Sequence, residues 1–289
     1  MNAGMIGLGA MGMNMARNLH KAGLLSGVWN RTSAKAEALA AELASRAAPS
    51  IRELASVCNA LVLCVSADED VAAVVDELAP AMQRGGLVID CSTVSAGTAR
   101  AAAARLATHG IDFLDCPVSG GVEGARLGTL AIMAGGDAAA FERARPILQA
   151  LGKTIARMGP SGAGQATKAT NQILCAGAIQ AAAEAMAFAE AEGLPLAQVI
   201  EILSKGAGAS WYFVNRAPFM VNGSFPAGFR VRLHEKDLRI CRDMAARHGA
   251  TLPMVESTLD DYEQLINGGH ADEDISVLFR LKEKPFGGT

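Results

Sequence analysis

Lys168 and Asn171 stand three residues apart in the stretch Gly162-x-Gly164-x-x-x-Lys168-x-x-Asn171. Residues at that spacing share one face of a helix. The run from Ala163 to Glu192 is apolar and, apart from Gly164 and Gly177, holds nothing that breaks a helix. A lysine on such a helix beside a cleft is partly desolvated, which favours its neutral form. It can give a proton to an alkoxide or take one from an alcohol, and its charge can steady a developing oxyanion. Asn171 is spaced to orient a bound group or the lysine itself.

A second stretch, Gly7-Leu8-Gly9-Ala10-Met11-Gly12, follows a predicted strand and opens a predicted helix. This is the glycine pattern that seats a dinucleotide pyrophosphate. Gly7 permits the tight turn, Gly9 lets the backbone approach the phosphates, and Gly12 lets the helix pack closely on the sheet. The helix N-terminus offers its N–H groups to the phosphates. At the end of the second predicted strand the chain reads Trp29-Asn30-Arg31-Thr32-Ser33, with no carboxylate to hold a ribose 2′-hydroxyl. Arg31 can fork onto a 2′-phosphate and stack on adenine, while Asn30, Thr32 and Ser33 can donate hydrogen bonds. The expectation is NADP (as NADPH) preferred and NAD possible. The alternative for Arg31 is an ordinary solvated loop residue.

These groups need a scaffold. Residues 4–8, 25–29, 60–65, 86–90 and 112–116 read as strands, alternating with helices at 11–22, 33–45, 69–78 and 96–109. That alternation implies right-handed crossovers and a parallel sheet. A strand at 130–134, a helix at 138–151 and an edge strand at 154–158 follow. After the long helix come only helices, near 195–204, 209–222, 234–248, 253–267 and 275–283. The expected fold is an α/β Rossmann-type dinucleotide-binding domain plus an all-α C-terminal domain, joined by a long helix. The expected divisions are 1–160, 161–192 for the connecting helix, and 193–289 for substrate binding and oligomerisation.

Composition excludes several classes. Apolar residues make up 51% and aromatics only 4%, so Ala, Leu, Val, Ile and Met must fill the core. A net charge of −3 points to neither nucleic acid nor an anionic membrane as partner. No apolar run reaches the roughly 18 residues of a membrane helix, and the N-terminus enters a Gly-rich turn without a basic leader. The six cysteines form no Cys-x-x-Cys pair and have no histidines at ligand spacing. Reduced thiols in a cytoplasmic protein, with no metal, are expected. The helices after the long one are too apolar for one small core, so self-association through them as a dimer or tetramer is expected.

Two further stretches complete a pattern. Asp115-Cys116-Pro117-Val118-Ser119-Gly120-Gly121 leads into Gly124-Ala125-x-x-Gly128-Thr129-Leu130, and Gly228-Phe229 precedes Leu233-x-x-Lys236-Asp237-Leu238. With the glycine fingerprint and the Lys168 stretch, these resemble the β-hydroxyacid dehydrogenase family over nearly the whole chain. That family includes 3-hydroxyisobutyrate dehydrogenases, tartronate semialdehyde reductases and glyoxylate/succinic semialdehyde reductases.

The resemblance implies NADPH-dependent reduction of a small oxo-acid or semialdehyde, with Lys168 as the catalytic proton donor and Asn171 beside it. It implies that Ser119, Gly120 and Gly121 receive the substrate carboxylate, as a backbone nest binds an anion. Lys236 would reach the nicotinamide end of the cofactor, and Asp237 and Phe229 would help to form the substrate pocket. Thr93 matches a cofactor contact. Val65-Ser66 stands where members often carry Leu-Pro, so backbone contacts alone are implied there. Trp211 either closes the pocket or packs the helical domain. The alternatives are a 3-hydroxyisobutyrate-type enzyme working oxidatively, or a non-catalytic interaction scaffold of the same fold. Retention of Lys168 counts against the scaffold and against imine reductases. The 6-phosphogluconate dehydrogenases have a larger helical domain.

Overall fold

Short apolar runs with no polar alternation suit strands covered on both faces. Three such runs, β1 (Ala3–Ile6), β3 (Ala60–Leu63) and β4 (Leu87–Asp90), are buried at every residue. They lie at the centre of an eight-stranded sheet in a computed structural model that describes residues 1–287. In chain order the elements between and after them are α1 (Ala10–Lys21), β2 (Leu25–Trp29), α2 (Ser33–Glu42), α3 (Ile51–Val57), α4 (Asp68–Leu78), α5 (Ala96–Ala107), β5 (Asp112–Asp115), β6 (Val118–Ser119), α6 (Gly121–Leu127), β7 (Leu130–Gly136), α7 (Ala138–Leu151) and β8 (Gly152–Gly159). The strand order is β2-β1-β3-β4-β5-β7-β6, with β8 also on β7. Helices cover both faces, as the two separate apolar clusters in this part of the chain show.

The alternating first half forms the expected parallel sheet, and the strands that follow depart from it. The strands from β2 to β5 are parallel, but β7 runs antiparallel to β5 and β6. The register Leu114↔Gly136 and Asp115↔Gly135 continues in step as Val118↔Ile132 and Ser119↔Ala131. β5 and β6 are therefore one run interrupted at Cys116-Pro117, where proline has no N–H to give the ladder. α6 then turns the chain back. The sequence places a turn at Ser119-Gly120-Gly121 before a strand and assigns no element to 122–127, where the structure forms α6. The sequence likewise assigns no helix to 51–57, although Ser50 caps α3 by accepting from Glu53 N at 3.1 Å. Ser50-x-x-Glu53 is a readable capping signal.

α8 (Ala163–Ala191) starts on this sheet and runs on. The chain divides into two compact units at Lys168/Ala169, inside α8. The second unit continues with α9 (Leu196–Leu203), α10 (Trp211–Val221), α11 (Val231–Ala246), α12 (Pro253–Asn267), a 3-10 turn at Ile275–Leu278, α13 (Phe279–Lys282) and a 3-10 turn at Lys284–Phe286. Its core packs Ile179 and Met186 of α8 with Phe213, Leu238, Leu259 and Tyr262. Against the expectation that no apolar run reaches membrane-helix length, α8 could cross a membrane by length and composition, but half of its most apolar window is buried within the protein. A core helix meets the same description.

Asp90 ends β4 fully buried. Its Oδ1 accepts from Ser92 N at 3.0 Å, whereas Oδ2 has no hydrogen-bond partner among the described residues. Burial pushes the carboxyl up to about 7 from 3.8, against the hydrogen bonds from Ser92. Between those two values the folded chain keeps a proton that the unfolded chain has lost. Stability therefore falls as pH rises through that window, and the penalty is absent below it. Asp90→Asn removes the titration. In thermal melts its Tm relative to the parent should rise from pH 5 to pH 8; a difference that stays flat with pH would refute this account.

Candidate active site

In the order β2-β1-β3-β4 the chain leaves β1 to one side and returns through β3 on the other. The loops after these two strands diverge, leaving a crevice at their C-terminal ends, where open α/β sheets bind ligands. Gly7 has φ +91°, and a Cβ there would lie 2.3 Å from Cys64 O. A Cβ on Gly12 would lie 1.9 Å from Gly7 O, so only glycine lets α1 meet the turn. A Cβ on Gly9 would meet nothing within 4 Å, so the backbone is open to a close approach there. Gly9 is the N-cap of α1 and supplies no side-chain cap, so the N–H groups of the first turn, at Ala10 and Met11, receive no hydrogen bond from it. This cradle fits a pyrophosphate.

Leu8 is buried, and its N–H donates to Asn30 Oδ1 at 2.9 Å, while Asn30 Nδ2 donates to Thr32 O at 3.1 Å. Asn30 thus pins the Gly-rich turn to the end of β2. Thr32 is the N-cap of α2 without a side-chain hydrogen bond to the helix. The Arg31 side chain is 84% exposed and its Nη1 lies 3.1 Å from Asp70 Oδ1 at the start of α4.

Beyond β3, Val65 N–H donates to Ser92 Oγ at 2.9 Å, and Ser66 is exposed. Beyond β4, one buried amide brackets Thr93. Gln165 Nε2 donates to Ser92 O at 2.8 Å, and Val94 N–H donates to Gln165 Oε1 at 3.2 Å. Gln165 was not singled out from the sequence. Its one local signal is a polar residue on the buried side of an apolar helix.

Gln165 belongs to the first turn of α8, which Asp115 caps from the end of β5. Gly162 N–H donates to Asp115 Oδ1 at 2.8 Å and Gln165 N–H to Oδ2 at 2.9 Å. A Cβ on Gly164 would lie 2.3 Å from Met133 O and 2.4 Å from Asp115 O. The glycine lets the helix start directly against the sheet. Lys168 lies one turn later on the Gly164 face and is only 8% exposed. Ser119 is half-buried on β6, while Gly120 and Gly121, at φ +128° and +62°, make the corner into α6. Both corner residues are exposed, so their backbone is accessible.

In the second unit the structure joins three residues singled out from the sequence through one that was not. Asn171 Nδ2 donates to Gln172 Oε1 at 2.8 Å, Gln172 Nε2 donates to Asp237 Oδ2 at 2.7 Å, and Lys236 Nζ lies 3.1 Å from Asp237 Oδ1. Gln172 is 1% exposed, so the chain of contacts is fixed by a buried neutral amide. Its position one helical turn after Lys168 was the available clue. His234 Nε2 meets Gln172 O at 3.2 Å, and the Phe229 ring packs 5.1 Å from the His234 ring. Trp211 is 60% exposed and lies outside the core; Phe213 fills the core position instead. No group of three metal-ligating side chains is present among the described residues.

Residues 2–159 match the family model described as the NAD binding domain of 6-phosphogluconate dehydrogenase. Residues 162–282 match the model described as NAD-binding of NADP-dependent 3-hydroxyisobutyrate dehydrogenase. The chain is 37% identical over 286 residues to the NAD-dependent L-serine dehydrogenase of Pseudomonas aeruginosa, covering 96% of each protein. It is 34% identical over 284 residues to the 2-hydroxy-3-oxopropionate reductase of Escherichia coli, covering 98% of this chain and 97% of the relative. Among solved structures, Mycobacterium tuberculosis 3-hydroxyisobutyrate dehydrogenase with L-serine matches at a TM-score of 0.90 and 32% identity, covering 97% of this chain and 98% of that one. With a dinucleotide cradle, a buried lysine and relatives matched end to end, the chain belongs to the β-hydroxyacid dehydrogenase family, NAD(P)-dependent oxidoreductases acting on hydroxyl groups.

Proposed function

We propose that this enzyme reduces a small oxo-acid or semialdehyde, such as glyoxylate, succinic semialdehyde or tartronate semialdehyde, to the hydroxy acid with NADPH. The observation that carries the reading is Lys168, 8% exposed, on the turn of α8 that follows the Asp115 cap and the Gln165 clamp. The nicotinamide, when bound, supplies the hydride. Lys168 Nζ gives a proton to the carbonyl oxygen as negative charge grows there, and accepts the alcohol proton in reverse. Ser119 Oγ and the backbone N–H groups at Gly120 and Gly121 receive the substrate carboxylate. Asn171, with its amide fixed by Gln172, orients the substrate. Asp237, Phe229 and the exposed face of Trp211 shape the pocket, and Lys236 serves the nicotinamide end. Thr93, Val65 and Ser66 contact the cofactor beside the glycine cradle. Six cysteines without a disulfide suit a cytoplasmic setting.

NADPH preference is supported by Arg31 and by the lack of a carboxylate at 30–33. A second reading, oxidation of a β-hydroxy acid with NAD, is favoured by the Arg31–Asp70 pair, which offsets the charge meant for a 2′-phosphate. The relative named NAD-dependent L-serine dehydrogenase favours it too. Steady-state rates separate the two. The three oxo-acids above and methylmalonate semialdehyde are run with NADPH and NADH, against L-serine and 3-hydroxyisobutyrate with the oxidised cofactors.

Self-association through the helical unit is part of the proposal. α9 is strongly apolar yet has no buried residue, and Ile202 and Leu174 are 67% and 69% exposed. Faces of this kind are normally covered.

Three outcomes are expected. Lys168→Ala should lower kcat by about 10²–10⁴-fold, the usual worth of a general acid, with little change in KM for NADPH; retention of most of the parent kcat would remove Lys168 from the mechanism. Arg31→Ala should raise KM for NADPH about tenfold, one charge-assisted contact, and spare NADH. A parent kcat/KM for NADH equal to or above that for NADPH would overturn the preference. Light scattering at micromolar concentration should give a dimer or tetramer of the 29.8 kDa chain, and a monomer would contradict the assembly.

A further inference from the structure

Trp211 begins α10 and is 60% exposed, so core packing does not fix its ring. Something else holds it. The Arg216 guanidinium lies 4.9 Å from the Trp211 ring centroid and 5.1 Å from that of Phe219. One planar cation thus serves two aromatic rings. The Arg216 side chain is only 14% exposed, and its Nε sits 3.1 Å from Asp274 Oδ1. This Nε is buried without a hydrogen bond, so the contact with Asp274 is an ion contact off the hydrogen-bond direction.

Asp274 is fully buried. Its Oδ2 accepts from Phe229 N–H at 2.9 Å, and its Oδ1 accepts from Ser276 N–H and Oγ–H at 3.1 and 2.8 Å. A Cβ on Gly228 would lie 2.7 Å from Arg216 Nη2 and 2.9 Å from Asp274 Oδ2, so the main chain before Phe229 rests directly on the ion pair. A single buried pair therefore connects the ring of Trp211 to the backbone of Phe229.

We propose that Arg216, backed by Asp274, is a positioning residue for the substrate pocket. It holds Trp211 by its flat face and sets the spacing between Trp211 and Phe229. Its charge is already met by Asp274, so it is not offered to the substrate carboxylate. The inference rests on the reading that Trp211 and Phe229 face the oxo-acid.

Arg216→Ala would leave Asp274 buried without its cation and could unfold the unit, so Arg216→Lys carries the test. Lysine keeps a charge opposite Asp274 and lacks the plane that lies over the rings. In a Trp29→Phe background Trp211 is the single tryptophan, because the chain has two. There, Arg216→Lys should shift the Trp211 emission and increase its quenching by acrylamide. KM for the fastest oxo-acid of the panel should rise about three- to thirtyfold, the worth of one cation–π contact, while kcat and KM for NADPH stay within about twofold. If Trp211→Ala raises KM for the oxo-acid but Arg216→Lys changes neither emission nor KM, the positioning role is wrong and the pocket reading stands. If Trp211→Ala and Phe229→Ala both leave KM unchanged, the pocket reading fails and takes the proposal with it. Parallel loss of kcat, of both KM values and of Tm in Arg216→Lys would show a merely structural role and overturn the proposal.

Discussion

Asp115 accepts hydrogen bonds from Gly162 and Gln165 in the first turn of α8, and the backbone around it leaves no room for a side chain at Gly164. This junction of strand end and helix start sets the rest of the site. Helix N–H groups have no partners within the helix, and a buried start needs an acceptor from elsewhere. Here a buried carboxylate from the sheet supplies it. Burial raises the Asp115 carboxyl, and the N–H groups that it accepts oppose that rise. The rigid rise of an α-helix then fixes Lys168 relative to the sheet edge. The same first turn sends Gln165 to the loop around Thr93. One docking event thus orders a loop read as cofactor-binding and the lysine read as the proton donor.

In the second unit the same economy appears in neutral form. Gln172 offers an acceptor to Asn171 and a donor to Asp237, so it can fix both at once. A buried charge in its place would have to be paired. A buried amide with both ends satisfied carries little penalty and leaves each neighbour with one orientation. Asp274 does comparable work with a charge, because Arg216, Ser276 and the Phe229 N–H surround it. Gln172 and Asp274 are each held by several partners, which makes the placement of Asn171, Asp237 and Phe229 a property of the fold.

Several features were legible in the residues because they depend on near neighbours. Gly7 and Gly12 follow from the geometry of one turn and one helix. The length of α8 follows from a run without breakers, and the shared face of Lys168 and Asn171 follows from helical periodicity. Ser50-x-x-Glu53 is equally local, although the helices expected from the sequence leave out 51–57. The missed β6 and α6 depended on a break at Pro117 and on a strand that pairs backwards, both visible only once β7 is in place. Phe213 takes the core position and leaves Trp211 exposed, which no local pattern in the sequence distinguishes.

By itself, then, the sequence determined the dinucleotide turn, the alternating αβ unit, the helical unit and the place of Lys168 near the start of the long helix. Each rests on φ/ψ limits or a hydrophobic period within a few residues. Tertiary structure alone decided what orients those groups. Gln165 reaches Ser92 across 73 positions, Gln172 reaches Asp237 across 65, and Asp274 reaches Phe229 across 45. No local rule links such pairs. They meet because the chain topology brings buried donors and acceptors together where water cannot satisfy them.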